Sequence, residues 1–206
     1  PAKINLFLHI TGQRPDGYHN IQTVFQLLDI GDELTFTANF SGKIQLNASI
    51  TDLSEKDNLI YRAAKLLQVS TKSTKGCVID LTKRIPMGAG LGGGSSNAAT
   101  TLVTLNYLWE CGLTAGELAG LGQMLGADVP VFVVGKSAFA EGIGEILTPV
   151  KLPKKWFLVI TPDCHVSTAE IFSNPQLTRN SSPIKIRALE AAECRNDCQR
   201  VVVKNY

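Results

Sequence analysis

Five glycines fall within residues 88–94 of this 206-residue chain, inside the stretch "PMGAGLGGGSSNAAT" at 86–100. The stretch follows the strand-like run "CVIDLTKRIP" and leads into a helical pattern. Each glycine costs up to about 1 kcal/mol relative to alanine, so such a run needs a structural reason. A strand, a glycine loop and a helix N-terminus together direct free amide groups and the helix dipole at an anion. The stretch therefore predicts a phosphate-binding loop, with a flexible connector or a tight packing turn as the alternative.

Two common phosphate loops fit this stretch poorly. A P-loop ends in Gly-Lys-Ser/Thr, and no lysine follows these glycines. The dinucleotide pattern G-x-G-x-x-G matches Gly88, Gly90 and Gly93, although a run of glycines satisfies many spacings. That pattern also needs a βαβ unit, whereas a second helix is predicted after the first one here. A nicotinamide-dependent oxidoreductase is therefore disfavoured.

The composition is that of an ordinary globular chain. Hydrophobic residues make up 44% and charged residues 18%, and 20 basic residues nearly balance 18 acidic ones. Nucleic-acid binding depends on clustered Lys and Arg, so no nucleic-acid partner is expected. No apolar run reaches the about 20 residues of a membrane helix, so no membrane partner is expected either. The five cysteines, at 77, 111, 164, 194 and 198, lack zinc-site spacing and are typical of reduced cytosolic thiols.

Period-two patterns predict several strands. In "KINLFLHI" at 3–10, one face would carry Ile4, Leu6, Leu8 and Ile10 toward the core, and the opposite face Lys3, Asn5, Phe7 and His9. A turn is predicted in "TGQRPDGYHN". Further strands are predicted in "IQTVFQLL", "DELTFTANF", "KIQLNASI", "VFVV" and "WFLVI", and a hairpin in "KSAFAEGIGEIL".

Helices are predicted where apolar spacing and capping residues coincide. The first covers 57–67 with Asp57 as N-cap, and the second starts at Ser95 or Ser96 with a buried stripe of Ala98, Ala99, Leu102, Leu105 and Trp109. A capping box in "TAGE" at 114–117 opens a third helix that ends at Gly126. Two shorter helices are predicted at 167–172 and near "IRALEAAEC". The order of elements predicts an α+β domain to about residue 148 and a second, unfinished unit from 149 to 206.

Longer motifs extend the interpretation of the glycine loop. "PMGAGLGGGSSNAAT" resembles the second motif of the galactokinase, homoserine kinase, mevalonate kinase and phosphomevalonate kinase superfamily, with one extra glycine. "PAKINLFLHITGQRPDGYHNIQTVFQLLDIGD", "LGADVPVF" and "AFAEGIGEIL" are similar to one family within it, the kinases that act on 4-diphosphocytidyl-2-C-methyl-D-erythritol. The similarity is nearly continuous from Pro1 to Phe172 and looser to Tyr206. It implies a two-domain small-molecule kinase fold, with a ribosomal-protein-S5-like N-terminal α/β domain and a ferredoxin-like α+β C-terminal domain that is incomplete here.

The resemblance implies a reaction and a pair of catalytic residues. Such kinases move the γ-phosphoryl group of ATP, with Mg²⁺, to the 2-hydroxyl of 4-diphosphocytidyl-2-C-methyl-D-erythritol, in the non-mevalonate route to isoprenoids. The matched catalytic positions are Lys3 and Asp128. Asp128 would accept the hydroxyl proton, and Lys3 would stabilise the anion and the transferring group. Without the resemblance, Lys3 would be a solvated strand-end lysine and Asp128 a turn-forming aspartate.

Further positions match the binding residues of that family. Asn5 would orient the substrate, Tyr18 and His19 would bind the cytidine group, and Phe172 would close on the base, where stacking is worth about 1–3 kcal/mol. Tyr18 as a loop anchor and Phe172 as a core residue are the alternatives, and His9 is expected to be structural. The matched ATP positions are Pro86, Met87, Gly88, Ala89, Gly90, Leu91, Gly92, Gly93, Gly94, Ser95 and Ser96 of the loop, with Asn58 and Lys83 near the adenine. No carboxylate can be assigned to Mg²⁺.

One family motif has no counterpart. The third glycine-rich motif, similar to L-T-G-T-G-x-x-x-F, does not occur. We therefore expect either that the sequence stops short of the full gene product or that the protein is a truncated nucleotide-binding form without activity. A mevalonate or homoserine kinase is a further alternative, although neither of those substrates carries a base for "DGYH" and Phe172 to bind. The expected partner is a small molecule with a cytidine diphosphate group, and the expected state is a monomer or weak dimer in the bacterial cytoplasm.

Overall fold

The computed structural model describes residues 1–48, 54–162, 164, 166–186 and 195–205. These residues form seven strands: β1 (Lys3–Gln13), β2 (His19–Leu27), β3 (Glu33–Asn39), β4 (Ile44–Ala48), β5 (Gly76–Thr82), β6 (Ala138–Glu141) and β7 (Ile146–Pro149). They also form six α-helices: α1 (Leu59–Thr71), α2 (Gly93–Leu108), α3 (Ala115–Leu125), α4 (Val129–Val134), α5 (Thr168–Ser173) and α6 (Gln199–Asn205).

The chain divides into two compact units that interleave along the sequence. The first unit contains 1–2, 28–87 and 92–135, and the second contains 3–27, 88–91 and 136–206. The domains expected from the sequence are consecutive instead, and their boundary near residue 148 stays a prediction.

The first unit combines a three-stranded sheet with helices α1 to α4. Its strand order is β3–β5–β4, with β3 antiparallel and β4 parallel to the central β5. The predicted apolar stripe of α2 is confirmed, because Ala98, Ala99, Leu102, Leu105 and Trp109 are all buried. The indole Nε1 of Trp109 also donates to the carbonyl of Gly76 at 3.2 Å, which fixes the end of α2 against β5.

The helix starts follow the sequence predictions only in part. The capping box of α3 is confirmed: the Thr114 side chain accepts from the Glu117 amide, and the Glu117 carboxylate accepts from the Thr114 amide. Asn58, not Asp57, caps α1, where its Oδ1 accepts from the Ile60 amide at 2.9 Å. A serine cap of α2 is also wrong, because this helix begins at Gly93 behind Gly92, and no side chain caps it.

The predicted strand "VFVV" is wrong, because these residues lie in the short helix α4. Pro130 occupies the first turn of α4, where its fixed φ favours a helix and its missing N–H costs nothing. Val129 and Val131 are fully buried. Packing of these side chains outweighs the weak preference of valine for strands.

The second unit contains an antiparallel sheet in the order β1–β2–β6–β7. The predicted hairpin is confirmed by β6 and β7. The prediction that β1 has one core face is wrong. Leu8 and Ile10 pack toward Ile171 of α5 and Val201 of α6, while Phe7 packs against Val24 and Phe139. A register shift between Asn5 and Leu8 lets Leu6 join the cluster of Phe7 instead of the cluster of Leu8.

A short segment near the end of the chain follows the edge of β1. Leu8 forms a parallel bridge with Asn196, and the Leu8 amide donates to the Arg195 carbonyl at 3.0 Å. The buried Asp197 carboxylate accepts from the Ile10 amide at 2.7 Å and from the Ser181 hydroxyl at 2.6 Å. Asp197 therefore satisfies a backbone amide that the edge of β1 would otherwise leave unpaired.

The segment 156–160 was predicted as a strand, and that prediction is wrong. It joins neither of the two sheets that the described residues form. Its side chains are exposed, from Trp156 at 100% to Leu158 at 89% and Ile160 at 78%. The short helix predicted at 167–172 is confirmed by α5. Residues 187–194, which include most of the last predicted helix and Cys194, lie outside the described residues. No helix within the described residues is long and apolar enough to cross a membrane.

Candidate functional site

The glycine stretch forms an exposed turn that leads directly into α2. Gly88, Gly90 and Gly92 have φ angles of 69°, 69° and 71°, a left-handed conformation that favours glycine. The first amides of α2 have no partner within the helix by geometry, and among the described residues no side-chain cap is found at Gly92. Since α2 has 16 residues, its dipole places positive charge at these amides. The loop therefore has the backbone expected of an anion site.

A buried carboxylate joins the segment after β5 to helix α2. Asp32 accepts from the Lys83 ammonium at 2.6 Å, the Asn97 side-chain amide at 2.8 Å, and the backbone amides of Arg84 at 2.7 Å and Ile85 at 2.8 Å. We call Asp32, Lys83, Arg84, Ile85 and Asn97 the Asp32 cluster. Burial alone would raise the pKa of Asp32, but the donors from Ile85, Lys83, Arg84 and Asn97 hold that pKa below its ordinary value.

The Asp32 cluster brings a cation to the start of α2. A Cβ atom on Gly93 would lie 2.9 Å from Nζ of Lys83 and 3.1 Å from Cγ2 of Ile85, so a larger residue there would have to displace these side chains. The Lys83 ammonium thus lies beside the first residue of α2, and its side chain is 22% exposed. The sequence prediction placed Lys83 near the adenine, and that assignment stays a prediction.

Asp128 lies in a turn next to the same end of α2. It is half-buried at the N-cap of α4, with φ −86° and ψ −11°, and its side chain does not cap that helix. The turn is closed by the Val129 amide, which donates to the Gly126 carbonyl at 3.1 Å. The hydroxyl of Ser95 lies 3.9 Å from the position of a Cβ on Gly126. The turn at 126–128 and the N-terminus of α2 are therefore neighbours within the first unit.

Lys3 belongs to a polar chain on β1 and β2 in the second unit. Its side chain is buried, with the residue 6% exposed. The prediction that Lys3 lies on a face of β1 that points away from the core is therefore wrong. Nζ of Lys3 donates to Oδ1 of Asn5 at 2.7 Å and lies 5.4 Å from the centroid of the Phe25 ring. Asn5 in turn donates to the Thr23 hydroxyl at 2.8 Å, and the Thr23 hydroxyl donates to the Phe7 carbonyl. Lys3 and Asn5 thus act as one fixed pair.

The backbone of Lys3 also contacts the glycine stretch. The Lys3 amide donates to the Leu91 carbonyl at 2.9 Å. The start of β1 and the loop residues 88–91 are therefore linked within the second unit.

Two of the three predicted cytidine-binding residues lie together in the second unit. The rings of His19 and Phe172 have their centroids 5.3 Å apart and are tilted by 56°. His19 is 7% exposed, and Arg179 donates from Nε to its Nε2 at 3.0 Å. Burial, with the nearby Arg179 charge, lowers the pKa of His19 below its ordinary value. Tyr18 is 61% exposed at the turn before β2, so its ring is open to solvent.

Asn58 and His9 have structural roles in these units. The Asn58 side chain is occupied with capping α1, and Leu59 Cδ1 lies 3.4 Å from the Cβ position of Gly94 at the start of α2. An ATP contact of Asn58 stays a prediction. His9 is 6% exposed and packs edge-on against Phe7 at 5.0 Å. Neither ring nitrogen of His9 has a hydrogen-bond partner among the described residues.

The described cysteines are free thiols at 77, 111, 164 and 198. Burial raises the pKa of Cys77 to about 11, and burial with the nearby Asp197 carboxylate does the same for Cys198. Both thiols therefore stay protonated at neutral pH, which suits packing and does not suit nucleophilic chemistry.

Sequence reasoning missed three residues that organise these sites. The sequence alone assigned no role to Asp32, Thr23 or Arg179. Each one works through contacts with residues far away in the chain, which a local pattern does not reveal. A charged residue directly before a strand was the only local signal for Asp32.

Known proteins resemble this chain in sequence and in fold. The family profile "GHMP kinases N terminal domain" matches residues 58–136, which include the glycine stretch and Asp128. Relatives named 4-diphosphocytidyl-2-C-methyl-D-erythritol kinase are 55% identical in Pseudoalteromonas atlantica and 56% in Pseudomonas paraeruginosa. Both alignments cover 100% of this chain, and 72% and 73% of the respective relative.

Solved structures show the same fold. A crystal structure of 4-(cytidine 5'-diphospho)-2C-methyl-D-erythritol kinase has a TM-score of 0.80 and 33% identity, over 100% of this chain and 76% of that one. A homoserine kinase from Cytophaga hutchinsonii, at a TM-score of 0.56 and 18% identity, covers 84% of this chain and 57% of its own and shares the fold alone. The predicted α+β small-molecule kinase fold is confirmed. With more than half of its residues identical to these relatives along its whole length, the chain belongs to the family of 4-diphosphocytidyl-2-C-methyl-D-erythritol kinases.

Proposed function

We propose that this kinase transfers the γ-phosphoryl group of ATP to the 2-hydroxyl of 4-diphosphocytidyl-2-C-methyl-D-erythritol, with Lys3 and Asp128 as catalytic residues. The observation that carries the proposal is the position of the Asp128 turn beside the uncapped N-terminus of α2. This helix end suits the phosphates of ATP, and the neighbouring carboxylate suits the proton of an acceptor alcohol. The names of the relatives supply the acceptor. The non-mevalonate pathway to isoprenoids is what the sequence resemblance implies.

The loop and the Asp32 cluster are both parts of the proposed ATP site. Residues 86–96 offer backbone amides, which approach the anion closely because the glycines carry no side chain. The Asp32 carboxylate pairs with Lys83 and fixes its ammonium beside Gly93, and we keep Lys83 as a residue near the adenine. Phosphoryl transfer needs little covalent help from a protein, so this placement of fixed charge is the main contribution.

Asp128 and Lys3 have complementary roles in the reaction. Asp128 accepts the proton of the 2-hydroxyl while the oxygen of that hydroxyl attacks the γ-phosphorus. The bond between the γ-phosphorus and the leaving ADP oxygen breaks in the same step. Lys3 stabilises the negative charge in this step, and its buried ammonium acts strongly because little water screens it. Asn5 holds Lys3 through the 2.7 Å hydrogen bond and presents an amide to the substrate. Tyr18, His19 and Phe172 bind the cytosine.

Mg²⁺ belongs to the same proposal as a companion of ATP. No group of three or more His, Cys, Asp or Glu side chains among the described residues could hold a metal ion. Mg²⁺ commonly binds through one or two carboxylates and the phosphates of its substrate, so this chain fits a metal that arrives with the nucleotide. When bound, Mg²⁺ would neutralise charge on the β- and γ-phosphates. We further infer action as a monomer or weak dimer in the bacterial cytoplasm, where ATP is available.

Replacement of Asp128 by Asn tests the proposal. We expect kcat to fall about 10²- to 10⁴-fold, because the amide cannot accept the proton, while KM for ATP changes little. Release of ADP is measured with 4-diphosphocytidyl-2-C-methyl-D-erythritol, mevalonate and homoserine in parallel. The control is Asp80→Asn, an exposed carboxylate on β5 that should leave turnover unchanged. Near-normal turnover in Asp128→Asn, or a preference for mevalonate or homoserine, would contradict the proposal.

A further inference from the structure

One arginine in the second unit connects the two residues expected to hold the base. Arg179 donates from Nε to Nε2 of His19 at 3.0 Å, and from Nη2 to the Phe172 carbonyl at 3.0 Å. Further hydrogen bonds run from Nη2 to the Asn174 carbonyl at 2.9 Å and from Nη1 to the Leu177 carbonyl at 3.1 Å. A guanidinium can serve all four acceptors at once because its donors point outward in a fixed plane.

The partners of Arg179 are unusual for a positive charge. All four are neutral acceptors, and no carboxylate among the described residues pairs with this guanidinium. An arginine kept for charge would normally pair with an acid or lie in water. This arginine instead binds three carbonyls around the end of α5 and the Nε2 atom at the edge of a histidine ring. Its contribution is therefore geometric.

The hydrogen bond to His19 fixes the chemical form of the imidazole. Nε2 accepts a hydrogen bond, so it carries no proton, and the proton of the neutral ring must be on Nδ1. A protonated ring would place an N–H against the guanidinium, where two donors and two positive charges oppose one another. Nδ1 makes no hydrogen bond to the described residues. His19 therefore has a fixed N–H donor that remains for a ligand.

We propose that Arg179 is a positioning residue for base recognition, which locks His19 as the Nδ1–H tautomer and holds the end of α5 so that Phe172 stays against His19. This inference rests on the proposed function, since it concerns the same cytidine. The fixed Nδ1–H donor of His19 favours a base that has an unprotonated ring nitrogen, and N3 of cytosine is such a nitrogen. Uracil carries a hydrogen on N3 and opposes the same donor. Arg179 thus contributes to selection of cytosine over uracil without touching the base.

The first test uses the unaltered protein. In ¹⁵N-labelled protein, the two nitrogens of a neutral imidazole have well-separated chemical shifts, so NMR shows which one carries the proton. We expect His19 to have its proton on Nδ1 at pH 7. In Arg179→Met, both tautomers should appear, and the pKa of His19 should rise toward its ordinary value as the positive neighbour is removed. A proton on Nε2 in the unaltered protein would overturn the inference.

The second test measures binding, so that it does not depend on catalysis. The affinities for CDP and UDP are compared by titration calorimetry in the unaltered protein, Arg179→Met and Arg179→Lys. We expect Arg179→Met to weaken CDP binding about 2- to 10-fold, as for loss of one neutral hydrogen bond from Nδ1 of His19, with UDP affected less. Lysine should restore little, because an ammonium lacks the planar fork. The matched control is Arg200→Met, an exposed arginine of α6.

The outcomes separate this inference from the proposed function. If Asp128→Asn abolishes turnover but Arg179→Met leaves the CDP-to-UDP ratio unchanged, the kinase assignment stands and the positioning role falls. If Arg179→Met loses CDP selectivity while KM for ATP is unchanged, the positioning role is supported, since a merely unstable protein would weaken both substrates. If Arg179→Met fails to fold, the tautomer of His19 in the unaltered protein still shows whether the inference holds.

Discussion

Asp32 shows how much one buried side chain can organise at the scale of a residue. Its side chain has no exposed surface, and its four donors come from the end of β5 and from α2. A buried carboxylate is stable only when paired and hydrogen-bonded, and here both conditions hold. The same contacts fix Lys83 at the glycine loop, so stability and phosphate binding depend on one group.

Asp32→Asn should lower the free energy of unfolding by about 3 kcal/mol, because an NH₂ group in place of Oδ2 leaves the Lys83 ammonium and the Asn97 side-chain amide without their acceptor. KM for ATP should rise in the same variant. Urea unfolding measures the loss, and Glu33→Gln is the control, since this exposed partner of Arg84 should change stability by less than about 1 kcal/mol. Equal effects of the two variants would contradict this role.

The pH dependence of that loss has a defined sign. The folded-state pKa of Asp32 is lowered, so its contribution is present above the unfolded pKa of about 4 and disappears as the pH falls through the folded value. The difference in stability between the unaltered protein and Asp32→Asn should therefore shrink in acid, and unfolding at a series of pH values below 5 measures it. A difference that grows in acid would show that another group is responsible.

Elements with a local signal could be predicted from the sequence, and elements that depend on neighbours could not. The capping box of α3 and the hairpin of β6 and β7 are encoded within a few residues. The helix α4 is rich in β-branched residues, which favour strands. Its helical conformation depends on Pro130 and on the packing of Val129. The faces of β1 depart from the expected alternation, because Lys3 is buried and a register shift follows Asn5. In the candidate site, the glycine loop was predictable from the sequence. The Asp32 cluster and Arg179 were not, because their contacts join residues that are far apart in the chain.

Two glycines of α3 give a matched prediction at this scale. A Cβ on Gly122 would lie 2.7 Å from Cγ1 of Val129, whereas nothing lies within 4 Å of a Cβ on Gly120. Gly122→Ala should push α4 and the Asp128 turn, cost about 1–3 kcal/mol and lower kcat. Gly120→Ala should raise stability by about 0.5–1 kcal/mol and leave kcat unchanged. Thermal unfolding and ADP release measure both, and a stabilising Gly122→Ala would refute the packing argument.

At the scale of the molecule, the segment 156–160 concentrates exposed apolar side chains. Trp156, Leu158 and Ile160 are exposed on a segment outside both sheets, and apolar segments of this kind promote aggregation. The double variant Leu158→Lys with Ile160→Lys should slow aggregation, measured by light scattering, and should leave CDP binding unchanged. Val203→Lys is the control, since this exposed residue of α6 lies apart from the segment. Unchanged aggregation in the double variant would show that another surface is responsible.

The hydrogen bond between Ile10 and Asp197 sets an order of events during synthesis of the chain. These residues are 187 positions apart, so the first strand leaves the ribosome long before the carboxylate that completes its edge. Closing so long a loop is slow compared with forming local helices and hairpins. The nascent N-terminal strand must therefore wait with an incomplete edge until residues 195–197 emerge, and this interval is when a chaperone would be of most use.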